Sequence, residues 1–108
     1  MDKVKLVTFV PMTHADLVRK AIGDAGGGIE GNYTHCSFST KGIGRFLPQE
    51  GAHPTIGEVG KFEEVEEERI EVTCDKKNIE HIISAIKSVH PYEEIPINIY
   101  QLIEEKIS

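Results

Sequence analysis

The run His90-Pro91-Tyr92-Glu93-Glu94 sets an imidazole, a phenol and two carboxylates side by side. Imidazole with carboxylate suits a divalent cation, and phenol with carboxylates suits a polar ligand. His90 and Glu93, joined by His35 or Cys36, form the candidate set for a divalent metal, the candidate cofactor; His53 and Glu94 extend it. None of these spacings matches a zinc motif. His35 and Cys36 adjoin in a β-rich run, so their side chains are expected on opposite strand faces and at most one can enter a given site. A lone histidine is more simply a surface group, which is how His14 and His81 read.

Nucleophilic chemistry has less support. Cys36 and His90 would make a thiol–imidazole pair, but a reactive thiol needs an electropositive, partly open setting. The sequence supplies neither that setting nor an orienting third group. Cys36 is expected in a core or an interface, and Cys74 in the core. The stretch from Lys41 to Arg45 carries Gly42 and Gly44 as a lone GxG with no helix after it, which excludes a dinucleotide fingerprint. Glycine backbone with Lys41 and Arg45 suits an anion; a tight turn is the simpler account. The acidic run before Ile70 reads as a solvated edge. Arg69 alternates away from Ile70, so it is expected on an open sheet face, meeting a carboxylate across an oligomer interface.

These residues need elements to position them. Val4, Leu6, Thr8 and Val10 alternate with Lys3, Lys5, Val7 and Phe9, and two partly apolar faces suit a central strand. Thr13 reads as a helix N-cap with Asp16 at the capping-box position. Leu17, Val18, Ala21, Ile22 and Ala25 follow at helical spacing, and Gly26-Gly27-Gly28 ends them. A second strand is expected over 32–40 and a long loop over 41–61, where glycines and Pro48 and Pro54 erase the periodicity. Residues 66–74 alternate again. Asp75 is expected to cap a second helix with the stripe Ile79, Ile82, Ile83, Ile86 and Val89. Pro91 stops it, and Ile95, Ile97 and Ile99 share one face of a last strand. The order β-α-β-β-α-β predicts a ferredoxin-like α+β fold over residues 1–108, a four-stranded antiparallel sheet with both helices on one face. Val7, Phe9 and Tyr100 are expected on the bare face, which invites self-association.

Bulk properties narrow the function. The chain has 108 residues, room for one domain. A net charge of −6 without clustered Lys or Arg excludes a nucleic-acid partner. No segment has the length or composition of a bilayer span or a secretory leader, and two cysteines make no disulfide framework. A cytoplasmic protein with no membrane partner is the expectation.

Several separated motifs in one order resemble the inserted domain of Nif-three-like proteins, often described as GTP cyclohydrolase type-two homologues. The matching positions are Gly31, Tyr33, Cys36, Ser37 and Phe38, then Gly42, Gly44, Phe46 and Pro48. Pro54, Gly57, Glu68, Arg69, Glu71 and the segment 90–94 complete them. The resemblance runs from Val4 to about Leu102 and implies a stand-alone insert of PII/CutA-like fold. Full-length members hold a dinuclear metal site in two flanking halves that have no counterpart here, so their cyclohydrolase label does not carry over. PII and CutA proteins are trimers, and PII binds nucleotides in clefts between subunits. The resemblance therefore implies a non-catalytic homotrimer binding a nucleotide or other anion at such clefts. Tyr33, Cys36, Phe38, Lys41, Arg45, Arg69, His90, Tyr92, Glu93 and Glu94 would line them. A divalent-metal-binding protein and a partner-docking subunit are the alternatives. One departure stands out: the family proline directly follows the second glutamate, whereas Ile95 intervenes here before Pro96. A one-residue strand shift, turning its side chains over, is the expected consequence.

Overall fold

Two partly apolar faces place strand β1 (Lys3–Pro11) in the interior of the sheet, bonded on both edges. The architecture comes from a computed structural model that describes residues 2–103. After β1 come a 3-10 turn (Met12–His14) and helix α1 (Ala15–Asp24), then strands β2 (Phe38–Phe46) and β3 (Glu63–Asp75). A second 3-10 turn (Lys76–Asn78), helix α2 (Ile79–Val89) and strand β4 (Ile97–Gln101) complete the fold. The sheet order is β2-β3-β1-β4, and each neighbouring pair is antiparallel. This is the expected ferredoxin-like arrangement.

One face of the sheet buries its side chains against both helices. Val4, Leu6 and Val10 of β1 and Ile70, Val72 and Cys74 of β3 meet Ala15, Val18 and Ile22 of α1 and Ile82 and Ile86 of α2. Each large aliphatic side chain taken out of water this way contributes about 1.5–3 kcal/mol. Cys74 belongs to this core, as expected, and burial pushes its thiol up to about 11. Leu17 departs from the expected helical stripe: it is more than half exposed.

Helix ends follow local chemistry, though not all of the expected chemistry. Gly26 sits at φ 99, Gly27 N–H reaches Ile22 O and Gly26 N–H reaches Gly23 O. That is a Schellman ending, and it explains the clean stop of α1. The Thr13 and Asp75 caps do not form: neither helical segment has a side-chain cap. Thr13 Oγ1 meets His14 Nδ1, Asp16 pairs with Arg19, and Asp75 lies 3.1 Å from Lys3 Nζ.

The largest correction concerns β2. Residues 31–37 form a loop, and the glycine-bearing stretch Lys41–Phe46 is strand. Pairing with β3 decides this, because thirteen residues of β3 offer a long edge from Glu63 onwards. β1 ends opposite Glu67, so Glu63–Glu66 bond only to β2 and the hairpin projects past the sheet. The loop narrows to 47–62, closed on itself by Gly60 N–H to Pro48 O at 2.8 Å. Register places Phe38, Thr40, Gly44 and Phe46 with Glu67, Arg69, Val7, Phe9 and Tyr100 on the face opposite the helices. No helix among the described residues is long and apolar enough to cross a membrane.

Candidate functional site: a latched cavity beside the open sheet face

Pro91 ends α2, and the chain then curls past the end of β1 towards the open face. Every side chain from His90 to Glu93 with a polar group is committed on the way. His90, buried at the helix C-terminus, points Nε2 at Phe9 O at 2.7 Å. Its Nδ1 accepts the Tyr92 N–H at 3.1 Å. One nitrogen donating and one accepting fixes the neutral Nε2–H tautomer. Burial lowers the pKa of this ring, against the opposing effects of the Phe9 carbonyl and Glu67. Tyr92 donates its hydroxyl to Glu67 and sets its ring edge-on to Phe46, centroids 6.0 Å apart. Burial, then Glu67, raises the phenol pKa above its ordinary value. Glu93 Oε1 accepts the His53 N–H at 2.9 Å, and Pro91 O accepts the Thr55 hydroxyl at 2.7 Å. The segment thus clasps the loop 47–62.

Between clasp and hairpin lies a cavity of about 600 Å³. Phe9, Phe46, Leu47, Ile56 and Ile95 supply much of its apolar wall, while Glu67, Glu93, Glu94 and Arg45 bring charge. That volume and that mixture are those of small-molecule sites. Arg45 is exposed and ion-paired with Glu64 at 2.7 Å.

The other expected site residues lie elsewhere. Lys41 is exposed, and its register partner is Glu68, on the helix-side row of the sheet. Gly42 and Gly44 sit in extended strand, which corrects both the turn and the anion-cradle accounts, because a strand alternates its N–H groups instead of converging them. Gly44 serves another purpose: a Cβ there would come within 2.1 Å of the Glu67 carboxylate. Arg69 lies on the open face as expected, but within its own chain it pairs with Glu71 at 3.0 Å and sits 5.5 Å from the Phe9 ring centroid. Phe38 is 68% exposed near the start of β2.

Tyr33, His35 and Cys36 occupy the opposite end. Gly28 N–H bonds Thr73 O, and Cys36 N–H bonds Gly28 O. Thr73 faces Lys5, four residues from Phe9 along β1, or roughly 13 Å. His35 is not in a strand; it has φ 59 and bonds Asp24 at 2.9 Å, with its ring filling the space a Gly23 side chain would need. One chain therefore does not bring His35 or Cys36 to His90, for a metal or for a thiol–imidazole pair. Among the described residues, no group of three or more His, Cys, Asp or Glu could hold a metal ion. The expected strand shift does not reach the clasp: β4 starts at Ile97 opposite Thr8, and Glu93 and Glu94 precede it. Sequence reasoning missed Glu67, which looked like one acid in a solvated run. Its parity with Arg69 was the signal that could have found it.

Comparison with known proteins fits this architecture. No protein-family model matches the chain. A GTP cyclohydrolase 1 type 2 homolog of Halalkalibacterium halodurans is 46% identical over 101 residues, 94% of this chain and 27% of that protein. The Bacillus subtilis counterpart is 47% identical over 96 residues, 89% of this chain and 26% of that protein. The chain thus spans about a quarter of the length of these curated relatives. Among solved structures, a Bacillus cereus protein related to NIF3 superposes with TM-score 0.83 at 47% identity, covering 95% of this chain and 26% of that one. CutA1 from Pyrococcus horikoshii superposes with TM-score 0.68 at 17% identity over 95% of this chain and 86% of that one. GlnK from Bacillus subtilis superposes with TM-score 0.61 at 17% identity over 94% and 86%. The last two likenesses speak to fold alone.

Proposed function

From a chain homologous to a quarter-length segment of the GTP cyclohydrolase 1 type 2 homologs and NIF3-related proteins, with a CutA/PII-like fold, we propose a ligand-binding or regulatory module without chemistry of its own. Its subunits assemble as a homotrimer through the open sheet face, and its ligand sits in the cavity beside that face. The observation that carries this is the 600 Å³ cavity itself, latched shut on one side by residues 90–94. Exposed Phe38 and Tyr100 on the same face support assembly, since apolar surface of this kind favours association.

Light scattering coupled to size exclusion tests the assembly, with a trimer of 12.0 kDa chains as the expected species. Phe38→Asp shifts that equilibrium towards monomer. Thermal melts with nucleotides, divalent metals and small organic ions test the module, since a ligand that favours the native state raises the melting temperature. A monomer that responds to none of them sinks the proposal.

A further inference from the structure

Two adjacent glutamates on β3 are both buried, and among the described residues only one has a counter-ion. Glu68, on the helix side, is 4% exposed; it pairs with Arg19 and accepts the Ser39 hydroxyl at 2.8 Å. Glu67, on the cavity side, is 9% exposed and receives only the neutral Tyr92 hydroxyl. Among the described residues, no Lys, Arg or His side chain lies within ion-pair distance of it. A carboxylate held out of water without a cation is an unfavourable arrangement unless something completes it.

The surroundings define what would complete it. Glu93 and Glu94 also line the cavity, and among the described residues the one cationic residue of the lining, Arg45, already holds Glu64. The field inside is therefore negative, and the remaining wall is largely aliphatic and aromatic. Gly44 leaves room for the Glu67 carboxylate where any side chain would displace it. We infer that the cavity takes a small organic cation, a primary ammonium or a guanidinium on a short apolar body, with Glu67 as its counter-ion. The ammonium meets Glu67, the body lies against Phe9, Phe46 and Ile56, and Glu94 borders the mouth. This inference rests on the ligand-binding reading above and names the ligand class for the same site, a cation in place of the anion that Lys41 and Arg45 suggest.

Three probes of matched size test it by ¹H–¹⁵N NMR on the assembled protein: benzylammonium, benzyl alcohol and benzoate. Benzylammonium is expected to give saturable shifts at the amides of Gly44, Ile56 and Glu67, with benzyl alcohol weaker and benzoate without effect at equal concentration. Glu67→Gln keeps an acceptor for Tyr92 and removes the charge, so it weakens benzylammonium by about tenfold or more, the loss of one charge-assisted hydrogen bond. The wild-type probe series stands alone if that variant fails to fold. Benzoate binding as well as benzylammonium, or undiminished benzylammonium binding in folded Glu67→Gln, overturns the cation class while leaving a ligand site. Silence from all three probes overturns the inference and the assignment of a ligand to this cavity together.

Discussion

Removing one oxygen from Tyr92 separates the clasp from ordinary packing. In Tyr92→Phe the ring stays against Phe46, and the hydroxyl that Glu67 accepts is lost. Hydrogen bonds to a charged group contribute about 1.5–3 kcal/mol, and the half-buried setting of Tyr92 argues for the lower end. At about 4 °C per kcal/mol for a domain of this size, a loss of about 1.5 kcal/mol lowers the melting temperature by about 6 °C. Protein concentration must be held fixed, because assembly also moves the midpoint. The neighbours of Tyr92 grip the loop through Thr55 and His53, so limited proteolysis within 47–62 should quicken in the same variant. A double-mutant cycle with Glu67→Gln should show a coupling of about 1 kcal/mol. If Tyr92→Phe melts within 1 °C of the wild type (roughly 0.25 kcal/mol on the same scale), leaves proteolysis unchanged and is additive with Glu67→Gln, the clasp does not hold the cavity together.

Two further outcomes are expected. Gly28→Ala should cost more than about 3 kcal/mol by urea denaturation, since φ is +80 and the new Cβ would lie 2.2 Å from the Cys36 carbonyl. Gly31→Ala, at φ +57 with open space around it, should cost only about 1–2 kcal/mol; equal costs would refute the steric argument. His90 has a depressed folded pKa, so stability is full above its unfolded value near 6.5 and falls as pH drops below that towards the folded value. Asp24 acts in a separate window below 3.8, where Lys20 and His35 hold it ionised. Denaturation midpoints at pH 7.5 and 5.5 should differ in the wild type and converge in His90→Gln, and an unchanged difference would assign the effect elsewhere.

Strands β1 and β3 and helix α2 were legible because their burial pattern is local and periodic. Alternation of Val4, Leu6 and Val10 and the stripe Ile79, Ile82, Ile86 each have one solution. β2 was not, because Tyr33, Thr34 and Cys36 have strand propensity while Gly42 and Gly44 do not. The strand lies where β3 offers partners, and pairing overrides propensity. The clasp was half legible. The sequence marks His90 to Glu94 as a group, but Phe9, Phe46, His53, Thr55 and Glu67, which they bind, come from three distant stretches with no shared pattern.

Strand parity determines which of these acids is neutralised and which faces the cavity. Glu67 and Glu68 are chemically identical neighbours, yet a strand sends them to opposite faces. On the helix face Glu68 meets Arg19 and Ser39, so its charge is neutralised inside the chain. On the open face Glu67 meets a phenol, a glycine and empty volume. His90 adds no cation to that volume, because both of its ring nitrogens are engaged in the neutral form. The His90–Glu94 segment is therefore one wall of a cavity into which β3 brings the buried Glu67. A shift of β3 that carried Glu68 into the place of Glu67 on the open face would carry Arg69 to the helix side, setting it against Arg19 in place of a carboxylate. Register, more than composition, decides which carboxylate meets Arg19 and which meets the cavity.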